Sequence, residues 1–283
     1  MPAEIIDGAQ IAKSVRSAIR RHIRKHKLKP GLAIVQVGTD PASTIYIKNK
    51  QNDCKRIHFR SEVYRMPEDS TQAAVINQVE ALNQRENIHG ILVQMPVPDQ
   101  IDEQAVIDAI APEKDADGLS PVNLGNLLAN HERITACTPT GIIHLIESTG
   151  EAIEGKRAVC IGRSRLVGKP VGLMLLNRHA TVTFCHTRTR DLAKEAREAD
   201  ILIVAAGQPG LIGADMIKAG AIVIDVGITT INDRLVGDVD FDAVKEVAGF
   251  ITPVPGGVGP MTRAMLLQNT LKLAIAQAGR RGE

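Results

Sequence analysis

The second half of the chain alternates short apolar runs with longer amphipathic stretches. The runs KRAVCIG, ATVTF, DILIVAAG and AIVIDVGI lie between residues 156 and 228. Continuous apolar runs of this length are typical of buried parallel strands, and the stretches between them have helical periodicity. This alternation predicts a doubly wound α/β sheet for the second half.

The first half shows the same alternation with fewer apolar runs. GLAIVQVG and HGILVQMP are long and continuous enough to be buried parallel strands. Asp40 is a good N-cap and Pro41 suits a first helical turn, so a helix should begin there. An α/β unit is therefore predicted for this half too. Its predicted elements are strands over 31–38 and 89–96 and helices over 41–57 and 71–85.

A stretch that contains proline and glycine, APEKDADGLSPVN, separates the two halves at 111–123. The chain has 283 residues, which is long enough for two medium-sized domains. We predict a first domain over 1–120 and a second over 121–262. The terminal segment 263–283, with a helix predicted over 263–277, is expected to complete the first domain.

The first amphipathic stretch, 9–29, predicts a helix with one apolar and one basic face. Its apolar face repeats every four residues through Ile11, Val15, Ile19 and Ile23. A nucleic-acid-binding arm would use such a basic face, but no aromatic residues interleave to stack on bases, so a solvated face is favoured. The residues assigned to the basic face are Lys13, Arg16, Arg20, Arg21, Arg24, Lys25 and Lys27.

The composition narrows the class of protein. Hydrophobic residues make up 44% and charged residues 23%, and a net charge of +2 is too small to imply nucleic acid or membrane as a partner. No apolar run approaches the roughly 20 residues of a membrane span, and no basic-then-apolar leader opens the chain, so a cytoplasmic protein is expected. The cysteines form no Cys-x-x-Cys, which predicts neither zinc nor a disulfide framework. They are Cys54, Cys137, Cys160 and Cys185.

A glycine-containing turn, GRSRLVGKP, follows a predicted strand and opens a predicted helix. Its glycines are Gly162 and Gly168, and Ser164 stands where the common G-x-G-x-x-G turn has its second glycine. This position in a βαβ unit favours a dinucleotide pyrophosphate at the helix N-terminus. A strand–helix turn without a ligand is the alternative.

The residues after the next strand indicate which dinucleotide is bound. NAD-binding folds usually hold the ribose hydroxyls with a carboxylate at this point. Here the sequence is FCHTRTR, with Thr187 and Arg188 but no acidic residue before Asp191. Arg163 and Arg165 lie in the glycine turn. Cationic and hydroxyl groups without a carboxylate favour NADP, because they suit its additional phosphate.

Tyr46 and Lys50 form a Tyr-x-x-x-Lys pair on the helix predicted over 41–57. Short-chain dehydrogenases use this spacing, but after their glycine-rich turn, whereas here the pair precedes Gly162 in another domain. Lys50 falls on the apolar face of the helix and Lys48 on the wet face. Burial should lower the pKa of Lys50 from about 10.4 toward roughly 7–8, as a general base requires. A snorkelling lysine beside a half-buried tyrosine is the alternative.

Three further segments offer groups for a flat ligand. Gln94 lies at the carboxyl end of a predicted strand, where open parallel sheets bind ligands. Asp117 lies in KDADG; a metal loop is the competing interpretation, but the other oxygen ligands of a calcium loop are absent from the sequence. The segment TPVPGGVGPMT offers backbone amides and close approach, notably at Pro255, Gly256 and Gly257.

Together these segments closely resemble the bifunctional methylenetetrahydrofolate dehydrogenase/cyclohydrolase (FolD) family. The resemblance implies NADP-dependent oxidation of 5,10-methylenetetrahydrofolate to the methenyl form, followed by hydrolysis to 10-formyltetrahydrofolate. It also implies a two-domain α/β subunit, with a Rossmann-like NADP domain and the folate in a cleft between the domains, that forms a homodimer. The segments that match, in the family's order and over nearly the whole chain, are IIDG, YIKNK, VQMPVP, PEKDADG, PVNLG, CTPTG, GRSRLVGKP, VIDVGI and ITPVPGGVGPMT.

The resemblance further implies roles for individual residues. Lys50 would be the catalytic lysine, Tyr46 would position the substrate, and Gln94 would tune Lys50. Asp117 would grip the pterin, and the family commonly has glycine near His58. The implied cofactor contacts are Gly162, Arg163, Ser164, Thr187 and Ile228, and the substrate-binding set adds Pro255, Gly256 and Gly257.

Two alternatives stay open from the sequence. The first is a dehydrogenase of the same family that has lost hydrolysis, although the presence of Lys50, Tyr46 and Gln94 argues against it. The second is a nucleotide-binding or RNA-binding regulator that uses the basic first helix. Salt-dependent RNA binding without turnover would favour the regulator.

Overall fold

The computed structural model describes residues 2–232 and 234–280, and its chain divides into two compact units. We name them after their main sheets. The three-stranded unit comprises residues 14–126, 131–135 and those from 266 onward; the six-stranded unit comprises the residues up to Lys13, 127–130 and 136–265. Residues 281–283 of the predicted terminal segment lie outside the described part of the chain.

The elements follow one another in an α/β order. The strands are β1 (Glu4–Ile5), β2 (Gly31–Val37), β3 (Arg60–Met66), β4 (Gly90–Val93), β5 (Arg157–Ile161), β6 (Thr181–Cys185), β7 (Ile201–Val204), β8 (Ile222–Asp225), β9 (Thr229–Ile231), β10 (Arg234–Val236) and β11 (Phe250–Ile251). The helices are α1 (Gly8–His26), α2 (Pro41–Arg56), α3 (Gln72–Asn83), α4 (Glu103–Asp108), α5 (Pro121–Leu128), α6 (Cys137–Glu147), α7 (Gly168–Leu176), α8 (Leu192–Arg197), α9 (Phe241–Val244) and α10 (Val258–Arg280). Single 3₁₀ turns cover Pro112–Lys114 and Ala214–Met216.

The three-stranded unit is built on a parallel sheet in the order β3-β2-β4. The central strand β2 is buried at every position, as expected for a strand covered on both faces. One face packs against α3 and α4 through alternate residues, such as Val35 and Ile91 from the strands and Val79 and Val106 from the helices. This packing fixes the carboxyl end of β4, which leads into Gln94.

The six-stranded unit contains a parallel sheet in the order β1-β11-β8-β7-β5-β6. From β5 the chain crosses to β6 on one side and then returns to β7 on the other side. This reversal creates a topological switch point at the carboxyl ends of β5 and β7, where doubly wound folds bind ligands. The two parallel sheets and the intervening helices confirm the predicted α/β fold class.

Most predicted elements are present, with bounds that differ by a few residues. The strand predicted over 89–96 ends at Val93, although the Gln94 amide still donates to the Val35 carbonyl at 2.8 Å. Pro96 has no amide hydrogen with which to continue the pairing. The last helix begins at Val258 rather than Arg263, because a proline at position 260 is tolerated in a first helical turn. Helix α1 ends at His26, where the next residue takes a φ of 51°.

Several strands were not predicted, because the pattern that identifies a strand is weak in them. β3 reads RSEVYRM, a mostly polar sequence with half-buried positions at the edge of its sheet. β1, β9, β10 and β11 contain only two or three residues each, too few for a period-two pattern to appear.

One residue of the predicted basic face of α1 lies elsewhere. The side chain of Arg16 is only 15% exposed, and its Nε lies 3.8 Å from Oδ1 of the buried Asp53 on α2. The assignment of Arg16 to the solvated face was therefore wrong, since a helix face is decided by what packs on it. Exposed neighbours such as Arg20, Arg21 and Arg24 keep the predicted position.

Candidate active site

Lys50 and Gln94 meet in the three-stranded unit although 44 residues separate them along the chain. Nζ of Lys50 donates a hydrogen bond of 2.8 Å to Oε1 of Gln94. The amide of Gln94 is oriented by a second bond, in which Nε2 donates to the carbonyl of Met95 at 2.8 Å. Gln94 thus presents a fixed, neutral acceptor to the lysine.

Helix α2 places Lys50 through a well-defined start and a buried inner face. Asp40 caps the helix, since its side chain accepts from the Ser43 amide at 2.6 Å. On the face that carries Lys50, the next two residues toward the C-terminus, Cys54 and Ile57, are buried, whereas Lys48 is exposed. The prediction that Lys50 lies on the inner side and Lys48 on the wet side agrees with this arrangement.

The environment around Lys50 becomes apolar toward the sheet. Cys54 is fully buried, and burial, with a further contribution from the neighbouring Asp53 carboxylate, raises the pKa of its thiol to about 12. Cys54 therefore serves as an apolar neighbour and not as a nucleophile. Tyr46, one turn before Lys50, is 39% exposed and faces toward solvent more than predicted.

Asp117 lines a recess beside the end of β4. The segment from Asp115 runs parallel to β4, pairs with Ile91, and so carries Asp117 to the level of the strand's end. Half-buried Asp117 shares the recess with Met95, which follows Gln94 directly. The apolar side chains of the recess are Leu92, Val93, Met95, Ile107, Ile110 and Leu119.

The two aspartates of KDADG have different environments. Asp115 is buried and accepts hydrogen bonds from the amides of Gly118 and Ser120 and from the side chain of Asn123. It holds the turn in shape, whereas Asp117 lines the recess. Among the described residues, no group of three or more His, Cys, Asp or Glu side chains is placed to hold a metal ion.

In the six-stranded unit, the turn between β5 and α7 requires both of its glycines. Gly162 has a φ of 115°, and a Cβ there would lie 2.2 Å from the Ala205 carbonyl oxygen. A Cβ on Gly168 would lie 2.1 Å from the Gly162 carbonyl oxygen. Ser164 occupies the position of the missing glycine, and its Oγ accepts from the Val167 amide at 3.1 Å. The turn therefore closes tightly at the start of α7 without a middle glycine.

Cationic and hydroxyl side chains lie around this turn, as the sequence predicted. Arg163 and Ser164 are exposed after β5, and Thr187 and Arg188 are exposed after the neighbouring strand β6. Because β5 and β6 are parallel neighbours, both sets lie at the same edge of the sheet. No carboxylate occurs at the end of β6 before Asp191.

The remaining predicted contacts follow the other strands of this sheet. Ile228 is 46% exposed shortly after β8. Pro255 is exposed, Gly256 has a φ of 114°, and Gly257 is buried just before α10. A Cβ on Gly257 would lie 2.7 Å from the Pro253 carbonyl oxygen, so this turn also depends on a glycine.

Two acidic residues of the six-stranded unit were not singled out from the sequence. Asp225 ends β8 and Asp238 follows β10, and both are buried. They accept hydrogen bonds from backbone amides of the loops that follow β7 and β8. A carboxylate at the end of an apolar run such as AIVID was the available signal, because such a group needs partners when buried.

Both halves of the chain match known families. The sequence signature "Tetrahydrofolate dehydrogenase/cyclohydrolase, catalytic domain" matches residues 6–117. The signature "Tetrahydrofolate dehydrogenase/cyclohydrolase, NAD(P)-binding domain" matches residues 136–278. A similar curated protein, "Bifunctional protein FolD" of Moorella thermoacetica, is 55% identical over 278 residues, which are 97% of this chain and 99% of the relative.

Solved structures of the same kind have the same fold. The bifunctional enzyme FolD of Campylobacter jejuni, a methylenetetrahydrofolate dehydrogenase/cyclohydrolase, superposes with a TM-score of 0.94 at 41% identity, covering 97% of this chain and 99% of its own. The corresponding enzyme of Trypanosoma brucei, complexed with NADP cofactor and inhibitor, gives 0.94 at 40% identity, covering 98% and 99%.

These matches confirm the predicted bifunctional enzyme and its nicotinamide cofactor. They do not favour a monofunctional dehydrogenase or an RNA-binding regulator. Within the described residues, no helix combines the length and apolar character needed to cross a bilayer. The chain belongs to the tetrahydrofolate dehydrogenase/cyclohydrolase family.

Proposed function

We propose that Lys50 is the proton-transferring group with which this enzyme hydrolyses methenyltetrahydrofolate after NADP-dependent oxidation of the methylene form. The observation that carries this proposal is the 2.8 Å hydrogen bond from Lys50 to Gln94. The amide of Gln94 is neutral, so this bond orients Lys50 without itself placing a negative charge beside the amine. From this fixed position Lys50 would exchange protons with a bound substrate.

The two reactions make different demands on the protein. In the oxidation, a hydride leaves the methylene bridge for the nicotinamide, and the resulting cation is stabilised by its two flanking nitrogens. This step needs alignment of donor and acceptor but no base. In the hydrolysis, water adds to the cationic carbon and loses one proton. The hydroxyl so formed then loses its second proton to solvent as the C–N bond breaks and the released nitrogen gains a proton, so one proton is released overall. Lys50 would accept the first proton and return it.

We assign Asp117 to recognition of the pterin. Its carboxylate can accept two parallel hydrogen bonds from the pterin amino group and the adjacent ring N–H. The recess that Asp117 lines has apolar walls, to which Met95 and Leu119 both belong. Tyr46, one turn before Lys50 and partly exposed, would contact the substrate from α2. Pro255, Gly256 and Gly257 would contribute backbone contacts to the substrate.

For the cofactor, we propose that the pyrophosphate of NADP binds at the turn before α7. Gly162 and Ser164 allow the close approach, and α7 supplies the partial positive charge of a helix N-terminus. Arg163, Thr187 and Arg188 supply donors for the additional phosphate, with Ile228 as an apolar contact. The T. brucei relative, which was solved with NADP, supports this choice of cofactor.

The assignment of Lys50 is tested by Lys50→Met, with Lys48→Met as the matched control on the wet face of the same helix. Hydride transfer is followed with methylenetetrahydrofolate and NADP⁺, and hydrolysis with methenyltetrahydrofolate as the starting substrate. We expect Lys50→Met to lower the hydrolysis rate by about 100-fold or more while measurable hydride transfer survives. Lys48→Met should leave both rates near wild type. Equal retention of both activities in Lys50→Met would refute the base assignment.

The binding assignments are tested separately. Asp117→Ala should reduce both activities through a raised KM for folate, so an unaltered KM would count against a pterin contact. Arg163→Ala should weaken NADP⁺ more than NAD⁺, because only NADP⁺ has the additional phosphate. If the NADP⁺/NAD⁺ preference stays unchanged, Arg163 does not recognise that phosphate.

We also propose that the chain forms a homodimer through the six-stranded unit. β6 is the edge strand of its sheet, and Phe184 on it is 40% exposed. Leu176, at the end of α7, is 54% exposed. An open edge with exposed apolar side chains favours pairing with a second copy. Leu176→Glu should shift sedimentation toward the monomer, whereas Ile275→Glu, on α10, should not.

Three broader predictions stay proposals. The folate-binding domain would comprise 1–120 and 263–283, and the NADP domain 121–262. The family matches over 6–117 and 136–278 support a boundary near residue 120. The grouping of the residues from 266 onward with the three-stranded unit supports the assignment of the terminal segment to the first domain. A cytoplasmic location is supported by the four cysteines, which are buried and form no disulfide in the described part of the chain. A role without nucleic acid is supported by the low net charge of +2.

A further inference from the structure

Two buried carboxylates in the six-stranded unit have no part in the chemistry described above. Asp238 is fully buried, and Asp225 is 3% exposed. Burying a carboxylate is costly unless hydrogen bonds compensate it. The donors that compensate these two carboxylates are mostly backbone amides from two loops at the ligand-binding edge of the sheet, so the pair determines the shape of those loops.

Asp238 holds the loop that follows β7. Its Oδ2 accepts from the amides of Ala206 at 2.7 Å and Gly207 at 2.8 Å. Its Oδ1 is buried and has no hydrogen-bond partner among the described residues. One oxygen therefore fixes two consecutive amides of an otherwise exposed loop, while the other oxygen does not hold the loop.

Asp225 holds Asp238 and the loop that follows β8. Its Oδ1 accepts from the amides of Gly227 and Asp238, both at 3.0 Å, and its Oδ2 accepts from the Val239 amide at 3.0 Å. The Asp225 amide in turn donates to Thr252 at 2.8 Å. Unlike Asp238, Asp225 uses both carboxylate oxygens as acceptors.

Glycines allow the two carboxylates to approach the backbone this closely. A Cβ on Gly227 would lie 2.3 Å from Oδ1 of Asp238. A Cβ on Gly237 would lie 1.8 Å from Oδ2 of Asp225. Both contacts are too short for any side chain, so the sequence contains glycine on both sides of the carboxylate pair.

The loop after β7 lies at the switch point of the sheet. The Ala205 carbonyl oxygen packs against Gly162 of the turn before α7, where a pyrophosphate would bind. β6 lies on the other side of β5, and it is followed by Thr187 and Arg188, which are proposed to bind the additional phosphate of NADP on the adenosine ribose. The loops after β7 and β8 therefore lie on the nicotinamide side of the turn.

The hydrogen bonds to Asp238 also decide what the loop offers to a ligand. Because the amides of Ala206 and Gly207 already donate to Asp238, the backbone groups that remain for a ligand at these two residues are carbonyl acceptors and not N–H donors. Acceptors suit ribose hydroxyls and a carboxamide NH₂ group, and they do not suit a phosphate. The loop is thus adapted to the nicotinamide nucleoside.

We propose that Asp238, held in place by Asp225, is a positioning residue that fixes the 205–207 loop as an acceptor surface for the nicotinamide nucleoside half of the cofactor. The inference rests on the proposed binding of NADP by this unit. Asp238 acts through the loop and does not itself contact the cofactor. The same hydrogen bonds predict which of the two aspartates can be replaced by asparagine.

Asp238→Asn should be tolerated, whereas Asp225→Asn should not. In Asp238→Asn, the side-chain oxygen can still accept hydrogen bonds from the amides of Ala206 and Gly207. The NH₂ group takes the place of Oδ1, which has no hydrogen-bond partner among the described residues. In Asp225, both carboxylate oxygens accept hydrogen bonds from backbone amides. In Asp225→Asn, the NH₂ donor must therefore face at least one N–H donor, and that hydrogen bond is lost. A generally unstable core would show no such asymmetry.

The experiment measures binding of NADP⁺ and of 2′,5′-ADP by calorimetry to full-length wild type, Asp238→Ala, Asp238→Asn and Asp225→Asn. The fragment 2′,5′-ADP contains the adenosine half without nicotinamide. We expect Asp238→Ala and Asp225→Asn to weaken NADP⁺ by about 10-fold or more, with 2′,5′-ADP affinity kept within about 2-fold. Asp238→Asn should bind NADP⁺ within about 3-fold of wild type.

Each outcome decides between the proposals. If the wild type fails to bind NADP⁺, the cofactor proposal fails. If the wild type binds but Asp238→Ala binds equally well, or if Asp238→Asn is as weak as Asp238→Ala, the positioning role is wrong. Equal loss of 2′,5′-ADP and NADP⁺ in the variants also overturns it, because that pattern indicates a general defect. Should Asp238→Ala fail to fold, the contrast between the two asparagine variants still decides.

Discussion

At the scale of single residues, His58 has a backbone conformation that favours glycine. Its φ is 65°, in the left-handed region directly after α2. The amides of His58 and Phe59 donate back to the carbonyls of Lys55 and Cys54, the bonds of a Schellman motif. The glycine that the family commonly has near this position thus has a physical reason, because glycine adopts this φ without the strain that a Cβ introduces.

His58→Gly should therefore stabilise the protein by about 0.5–1 kcal/mol, measured as the free energy of unfolding in urea. The matched control is Asn130→Gly, since Asn130 has a φ of 62° but asparagine tolerates this region. We expect the control to gain only a few tenths of a kcal/mol, if anything. A loss of stability in His58→Gly, or an equal gain in both variants, would contradict the strain at His58.

The residues of the candidate site differ in how far the sequence could predict them. Lys50 was distinguished from Lys48 by helical periodicity alone, because a helix face is a local property. Its hydrogen bond to Gln94 joins two elements 44 residues apart, and only the resemblance implied that the pair interacts. Asp225 and Asp238 were missed, because their partners are backbone amides whose positions exist only after the sheet is assembled.

At the scale of elements, α2 depends on its first turn. Asp40 accepts from the Ser43 amide, and these hydrogen bonds lower the pKa of its carboxyl. Asp40→Ala should lower the melting temperature by a few degrees at neutral pH, whereas Asp40→Asn, another good cap, should change it little. A calorimetric scan of the three proteins tests this, and equal losses in both variants would show that capping is not the cause.

The Asp40 effect should also depend on pH in a defined direction. A lowered pKa in the folded state means that the stabilisation is present above the unfolded pKa and is lost as the pH falls through the folded pKa. The difference in melting temperature between wild type and Asp40→Ala should therefore shrink only in strong acid. Asp40→Asn should show no such change, since its cap does not titrate.

The elements also show which features of a fold are local. The bounds of α2 were predicted almost to the residue, because an aspartate N-cap followed by proline is a local signal. β3 was not predicted, because it is stabilised by pairing with β2 along its full length rather than by its own apolar pattern. α10 began five residues early, because a proline inside the first turn does not end a helix.

At the scale of the whole molecule, Asp225 should give the folded state an unusual dependence on pH. Burial, with a further contribution from the nearby Asp238, raises the pKa of Asp225 to about 6, although amide hydrogen bonds act against this shift. The folded state then binds this proton more tightly than the unfolded state. Its contribution to stability is present at low pH and is lost as the pH rises through the window from the ordinary aspartate value to about 6.

The predicted loss across this window is about 3 kcal/mol, from the size of the shift. Comparison of wild type with Asp225→Asn isolates it, since the other acidic groups titrate in both proteins and cancel. The stability advantage of wild type over the variant should therefore fall between pH 4 and 7, in the opposite direction to that of Asp40. An advantage that stays constant or grows with pH would show that Asp225 is fully ionised in the folded state. A carboxylate that stays ionised while it accepts three amide hydrogen bonds does not bind a proton more tightly on folding, so lowering the pH would not stabilise the wild type relative to the variant.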